Sequence, residues 1–425
     1  MSSPGAPHAD VGALLERVVA EEYPRILAAV ARSVGDLDLA EDALQDAIGA
    51  AIASWARSGP PEVPAAWLTT VARRRAIDVL RREGRRDELE ARSATTDDGP
   101  AESHTGPLVD DQLRLMFVTC HPSLSADTQV TLTLRYVCGL RTDEIARLLL
   151  VEADTVTKRI RRARRKIRDA RILLRVPPSH RLAERVHTVL DCLYLVFTEG
   201  YAATAGDAWV RIDLCAEAIR LTRAVVALDP TNPEPRALLA LELLQHSRSS
   251  ARQDQDGRAV LLAGQDRRRW DRDLIDEALQ LLESLGPPEH LPRDAAIDAL
   301  QAWIAAAHAT APSWELTDWS AIVACYDELL VRTGSPVVAL NRAVAVSMVD
   351  GPRAALGELA QVDTESPLTR THQWHLVHAD LHERVGDDAA AAAAYRRALA
   401  MAGAEPERAH IASRLAALEQ GPARD

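Results

Sequence analysis

The chain has 425 residues, 47% of them hydrophobic and 26% charged, with a formal net charge of −12. At roughly 150 residues per domain this suggests about three domains, and the negative balance excludes a uniformly basic, histone-like coat. Aromatics are only 4%, with two Phe, which favours an all-α protein and excludes sandwiches and barrels that draw on aromatic and β-branched residues.

The first predicted block is helical from about Ala9 to Arg82. Leu44, Ile48, Ile52 and Trp55 recur at helical spacing and predict one buried stripe. Asp38 followed by Glu41 reads as a capping pair at the start of that helix. Arg57-Ser58-Gly59-Pro60-Pro61-Glu62-Val63-Pro64 must be a loop, because three prolines and a glycine cannot continue a helix. A second helix is expected from about Ala65, with Leu68, Ala72, Ala76 and Val79-Leu80 as its stripe and Arg73, Arg74, Arg75, Arg81 and Arg82 around it. From about Arg85 to Pro107 the periodicity collapses into a polar stretch that reads as a flexible linker.

Helical pattern resumes near Asp110 and runs to about Arg175, where Val176-Pro177-Pro178-Ser179 punctuates the chain. Through Arg175, basic and acidic side chains are about equal in number, so the charge deficit lies beyond. Arg135 to Arg175 alone carries about eight more positive charges than negative ones, an asymmetry that can mark a nucleic-acid-binding segment. Leu140 to Ile160 reads as a helix-turn-helix. Thr142 is placed to cap a short helix, with Asp143 and Glu144 in its first turn. Ile145 and Leu149 would pack inward, and the small Ala146 would let the next helix cross closely. That second helix puts Val156, Ile160, Ala163 and Ile167 on one stripe. Thr157, Lys158, Arg159, Arg161, Arg162, Arg164, Arg165, Lys166 and Arg168 project elsewhere, with only Asp169 nearby as compensation. A merely solvated helix usually interleaves both signs. A cationic helix anchored by a narrow stripe can enter a DNA major groove, neutralising phosphates while Arg, Lys and Thr reach base edges.

Beyond Pro178 the pattern is helical, broken by turns such as Asp229-Pro230-Thr231-Asn232-Pro233 and Gly286-Pro287-Pro288, with an irregular stretch from Arg248 to Arg269. Ala379 to Asp387, leading through a Gly turn into Ala394 to Leu399, has the logic of a tetratricopeptide hairpin. Asn341 to Leu359 echoes it around Asp350-Gly351-Pro352. Asp213, Glu217 and Arg220 fall at helical spacing and suggest an ion-pair ladder.

Two segments resemble bacterial sigma factors of the extracytoplasmic-function type. Asp36 to Ala47 followed by Ala66 to Asp78 is similar to sigma region 2. The helix-turn-helix, continuing through Arg162-Ala163-Arg164-Arg165-Lys166-Ile167, is similar to region 4. The rest resembles the subgroup with a large C-terminal helical extension, through Leu113-Arg114-Leu115-Met116-Phe117 with Cys120-His121-Pro122, Leu195 to Tyr201, and Gln265 to Asp271. The resemblance implies a region 2 bundle over 9–84, a linker over 85–109, region 4 over 110–175, a helical extension over 179–285 and tetratricopeptide-like repeats over 290–418. It implies two partners, core RNA polymerase and promoter DNA. Polymerase docking would fall to Asp38, Glu41, Asp42, Gln45 and Asp46, which lie largely off the Leu44 stripe as one acidic face. The minus-10 element would meet Arg57, Trp67, Arg73, Arg74, Arg75, Arg81 and Arg82, where cations hold the separated strand. Trp67 has apolar neighbours that equally suit a core role, and Arg74 stands where the family often carries Asn. The minus-35 element would meet Thr157, Lys158, Arg159, Arg161 and Arg162, with Arg141, Thr142 and Thr155 at the helix starts. Leu150 stands where many helix-turn-helices place Gly. The extension would regulate in cis, through contact with the sigma core.

The five cysteines, Cys120, Cys138, Cys192, Cys215 and Cys325, are scattered and include no C-x-x-C, which predicts buried thiols and no structural zinc. Glu199, His246 and Asp266 lack a local ligand pattern. His372, His375 and His378 share one helix face, extended by His382, and suit solvated or core roles better than a metal. The alternative function is a polymerase-independent helix-turn-helix regulator with a helical sensor domain, which leaves residues 36–78 without a purpose. An enzyme in the C-terminal half would need a nucleophile and base, a P-loop or a dinucleotide fingerprint, and none occurs. No catalytic residue and no cofactor is therefore expected. No apolar run approaches the about 18 residues needed to span a bilayer. The opening Met1-Ser2-Ser3-Pro4-Gly5 lacks a secretory layout, so a cytoplasmic protein without membrane contact is expected.

Overall fold

The computed structural model describes residues 11–82, 111–149, 151–170, 172, 179–201, 212–255, 260–362, 367–402 and 405–420. The expected linker over 85–109, Leu150 and Val176-Pro177-Pro178 lie outside the described residues. Among the described residues the regular structure is helical throughout, in two compact units, residues 1–195 and 196–425.

The first unit opens with α1 (Val11–Val34), which buries Leu15, Tyr23, Ile26, Leu27, Val30, Ala31 and Val34. Their spacing of three and four residues makes one apolar stripe. The second helix, α2 (Leu37–Ser58), begins at Asp36, whose carboxylate accepts the Leu39 N–H at 3.0 Å. The expected cap at Asp38 is thus two residues late: Asp36 is the residue with the extended backbone a cap needs. The expected stripe also shifts. Leu44 and Trp55 are buried, whereas Ile48 is half-buried and Ile52 exposed. Alanines 40, 43, 47 and 51 take the inner face instead, because their small side chains let α1 and α3 (Pro64–Arg82) approach closely. Packed together, α1, α2 and α3 form a three-helix bundle. The loop is residues 59–63, shorter than the expected 57–64 because Arg57 and Ser58 continue α2 and Pro64 opens α3, and α3 buries Leu68, Ala72, Ala76 and Leu80 as expected. Each fully buried Leu contributes about 1.5–3 kcal/mol.

The same unit continues with α4 (Asp111–Thr119), whose Leu113, Leu115, Met116, Phe117 and Val118 are buried, and α5 (Ala126–Leu132). A π-helical turn over Thr133–Val137 follows and buries Leu134, Tyr136 and Val137. Both α4 and the π turn pack on α1. Gly139 ends the π turn at φ +73°, and a Cβ there would lie 2.8 Å from the Pro24 Cγ of α1. Both backbone hand and close approach therefore require glycine. The helix-turn-helix is α6 (Thr142–Leu148) and α7 (Ala153–Asp169). Thr142 is not the cap. It is the first helical residue, and the Glu144 carboxylate reaches back to the Arg141 N–H at 2.7 Å. Ile145 and Ala146 are buried, and α7 buries Val156, Ile160, Ala163 and Ile167, the predicted stripe.

Crossing into the second unit, α8 (Ser179–Tyr201) is followed by α9 (Ile212–Leu228), α10 (Pro233–His246), α11 (Arg272–Leu285), α12 (Arg293–Thr310), α13 (Trp319–Thr333), α14 (Pro336–Val349), α15 (Pro352–Leu359), α16 (His372–Val385), α17 (Asp388–Met401) and α18 (Glu405–Gln420). From α12 onward each helix packs on the next, the arrangement of a hairpin array. The α14–α15 and α16–α17 turns contain Gly351 and Gly386, both at φ +87°. Leu340, Ala343, Ala355, Leu359 and Leu381 make one core cluster, and Ala379, Ala394, Tyr395 and Ala398 the next. Residues 247–255 and 260–271 are irregular, with short 3-10 turns.

Candidate nucleic-acid interface

The basic helix α7 is positioned by its stripe on α5 and α6. Off that stripe, Thr157, Lys158, Arg161, Arg162, Arg165 and Lys166 are exposed. Lys158 pairs with Asp154 at 2.5 Å one turn back, and Thr157 Oγ1 donates to the Ala153 carbonyl at 3.0 Å. Arg159 is different: it is half-buried and reaches Asp127 of α5 at 3.1 Å, bracing the fold. Arg141 is exposed beside Asp143 at 3.2 Å, and a local backbone hydrogen bond, with the Arg141 and Arg147 guanidiniums, holds the Asp143 carboxyl below its ordinary range. Thr142 and Thr155 are half-buried at the starts of the two helices.

The edge of α7 that carries Arg164 and Arg168 faces α2. Arg164 donates from Nη1 to Glu41 at 2.9 Å and also bonds Asp38, which Arg168 contacts as well. Arg135 of the π turn donates to Glu41 at 2.9 Å. The hydroxyls of Tyr23 on α1 and Tyr136 donate to the same carboxylate at 3.3 and 3.2 Å. Glu41 is only 8% exposed. Burial, with the Glu41 charge adding to it, pushes the Tyr23 hydroxyl up to about 12 and the Tyr136 hydroxyl upward too. Two guanidiniums and two phenols thus satisfy one buried carboxylate, as a buried charge requires.

The acidic face expected on α2 is therefore divided. Asp42, Gln45 and Asp46 are exposed, and Asp46 pairs with Arg75 at 3.2 Å. Asp38 and Glu41 turn inward, because the cations of α7 and the π turn lie against them. Between the two elements lies a cleft of about 490 Å³, lined by Asp38 and Glu41 on one side and by Thr157, Arg161, Arg165 and Arg168 among others on the second. The partners Arg135, Tyr23 and Tyr136 were not anticipated from sequence, since no local spacing joins them to Glu41.

On α3, Arg73, Arg74, Arg81 and Arg82 are exposed; Arg81 lies 3.7 Å from Asp78 and Arg82 Nε donates to the Asp78 carbonyl. Arg57 is exposed at the end of α2, its Nε donating to the Ala53 carbonyl. Trp67 is half-buried, edge-on to Trp55 with centroids 5.5 Å apart. It therefore offers one part to the core and one to solvent. This helix presents an exposed row of cations that can carry phosphates.

In the second unit, Arg220 pairs with Glu217 at 2.9 Å. His246, weighed as a metal ligand, bonds Ser249 at 3.2 Å, and Asp266, weighed with it, holds Arg268 at 2.9 Å. On α16, His378 lies between Trp374 and His382, with centroid distances of 4.6 and 6.1 Å, and burial together with its histidine neighbours lowers it to about 4. Cys120, Cys192 and Cys215 are buried as expected, whereas Cys138 and Cys325 are partly exposed. No helix among the described residues is long and apolar enough to cross a membrane.

Comparison with known proteins accounts for this layout. The profile of Sigma-70 region 2 matches residues 18–86, that of Sigma-70 region 4 matches residues 114–167, and a family of unknown function matches residues 185–285. An uncharacterized protein of Rhizobium meliloti (strain 1021) is 41% identical over 412 residues, covering 94% of this chain and 95% of its own length. A protein of Mycobacterium tuberculosis named as a probable ECF RNA polymerase sigma factor, SigI, is 31% identical over 160 residues, 36% of this chain and 54% of its own length. No solved structure matches. With both sigma regions in order and a helical array behind them, the chain belongs to the extracytoplasmic-function group of the sigma-70 family, in the subgroup that carries a large C-terminal helical extension.

Proposed function

We propose that this sigma factor binds core RNA polymerase, recognises promoters through α3 at the minus-10 element and α7 at the minus-35 element, and initiates transcription under the control of its own helical extension. The observation that carries this reading is the exposed cationic side of α7 in one unit with a region 2 bundle whose α2 is acidic. Asp42, Gln45 and Asp46 suit first encounter with a basic polymerase surface, by charge complementarity. Full docking through Asp38 and Glu41 requires α7 to leave α2. That departure also frees Arg164 and Arg168 for DNA phosphates, so the two contacts become available together.

The experiment is run-off transcription with core enzyme, purified full-length chain and genomic fragments. Transcripts with defined starts that depend on the chain are expected, and their loss on Arg161→Ala with Arg162→Ala. Absence of chain-dependent transcripts from every cognate fragment overturns the reading. For regulation in cis, a chain ending after Tyr201 is expected to alter promoter output. Equal output at all polymerase concentrations removes that part alone.

A further inference from the structure

The segment Gln265-Asp266-Arg267-Arg268-Arg269-Trp270 folds as a 3-10 turn between α10 and α11. The Asp266 carboxylate accepts the Arg268 N–H at 3.0 Å and binds the Arg268 guanidinium at 3.0 and 2.9 Å. Arg268 is thereby held outside, while Arg267, one position earlier, turns inward and is 9% exposed. Its Nε and Nη2 have no hydrogen-bond partner among the described residues. Those two N–H groups lie on one edge of the guanidinium, spaced to meet both oxygens of a carboxylate.

Other groups around Arg267 share this condition. Its guanidinium carbon lies 5.0 Å from the centroid of Trp270, a buried ring whose indole Nε1 also lacks a partner. On α12, the His308 ring is parallel to Trp314 at 5.8 Å and edge-on to Trp319 at 5.2 Å, and the two indoles meet at 4.6 Å. Trp319 Nε1 and His308 Nδ1 again lack partners. Burial, with the charges of Arg248 and Arg267, lowers His308 to about 4, so the imidazole is neutral and adds no charge. Glu315 is the acid whose field reaches Arg267, but it is exposed, with its carboxylate on Ser313 and its own backbone.

Buried polar atoms are almost always satisfied, and an unsatisfied group signals a missing partner. Here the guanidinium and the indoles can only donate, and the neighbouring rings are aromatic. Donors of this kind select an anion, and flat rings select a planar body. The geometry points to a binding site in the helical extension for a small aromatic carboxylate, its two oxygens on the Nε–Nη2 edge of Arg267 and its ring against Trp314 and Trp319. The inference stands on the second unit alone and does not depend on the function proposed above.

The test is calorimetry and ligand-observed NMR on the full-length chain, with benzoate and indole-3-acetate as probes. Benzamide and indole-3-acetamide serve as neutral counterparts, and inorganic phosphate as an anion without a ring. Both carboxylates are expected to bind about tenfold or more tightly than their amides and than phosphate, the difference one bidentate charged pair supplies. Arg267→Gln is expected to erase that preference. Arg267→Lys, which keeps the charge but not the edge, is expected to weaken carboxylates while leaving thermal unfolding near wild type. Trp314→Ala is expected to weaken both aromatic carboxylates. Amides binding as well as carboxylates, phosphate binding as well as benzoate, full affinity in Arg267→Lys, or no binding by the wild-type chain would each overturn the proposal.

Discussion

Arg164→Met tests whether the basic helix α7 is held on α2. Arg164 donates to Glu41 at 2.9 Å and also holds Asp38. Its side chain is 25% exposed and that of Glu41 11%, well below the exposure of a surface pair. A charge-assisted hydrogen bond in that setting contributes about 1.5–3 kcal/mol, against about 0.2–1 kcal/mol for an exposed pair. Glu41→Gln keeps the shape of the acceptor but removes the charge that Arg135 and Arg164 share. A double-mutant cycle on these two substitutions is therefore expected to give a coupling of about 1.5–3 kcal/mol. The assay is urea unfolding read by energy transfer between dyes on the exposed positions 49 and 162, which report α2 and α7. Losing about 2 kcal/mol raises the separated population about 30-fold, so Arg164→Met should also lower the native transfer efficiency. A coupling below about 0.5 kcal/mol with unchanged transfer would refute the reasoning, because it would mean that the pair behaves as if it were solvated.

Glu242 of α10 is fully buried, and neither carboxyl oxygen has a hydrogen-bond partner among the described residues; burial first, with Asp298 adding, raises it well above the ordinary 4.5. Because the folded value is the higher one, the contribution is intact below about pH 4.5 and is lost as pH rises toward neutrality. Glu242→Met should therefore stabilise the second unit by about 1–3 kcal/mol at pH 7, with the gain vanishing near pH 4 in thermal melts. Gly139→Ala, which meets Pro24 and an unfavourable φ of +73°, should destabilise the first unit by about 2–4 kcal/mol in urea titrations. Arg161→Ala and Arg162→Ala should each lower the salt slope of promoter binding by the assembled holoenzyme by about 1, measured by filter binding across salt concentrations.

The basic helix was legible because its four anchors repeat at helical spacing and little else in that stretch is apolar. In α2, Ile48 and Ile52 suit the stripe by being large and apolar, whereas Ala40, Ala43, Ala47 and Ala51 take the inner face beside Leu44 and Trp55. The sequence pattern reads as a capping pair at Asp38 and Glu41, whereas backbone geometry makes Asp36 the cap. Glu41 reads as a solvated acid in sequence. Its burial comes from Arg135 and Arg164, 94 and 123 residues away, a pairing no local pattern encodes. Arg267 and Glu242 were hidden for the same reason: a charged letter predicts exposure until the elements packed over it are known. The Gly turns at 351 and 386 were legible because a tight left-handed turn has a local chemical requirement.

The long sequence separation between Glu41 and its cations has a consequence during synthesis. Translation at about 5–20 residues per second delivers Arg164 roughly 6–25 s after Glu41. For that interval the nascent α2 carries its acids uncovered. A growing chain therefore carries Asp38 and Glu41 without the cations of α7 that cover them in the finished chain, so newly made and mature copies differ in the charge that α2 presents.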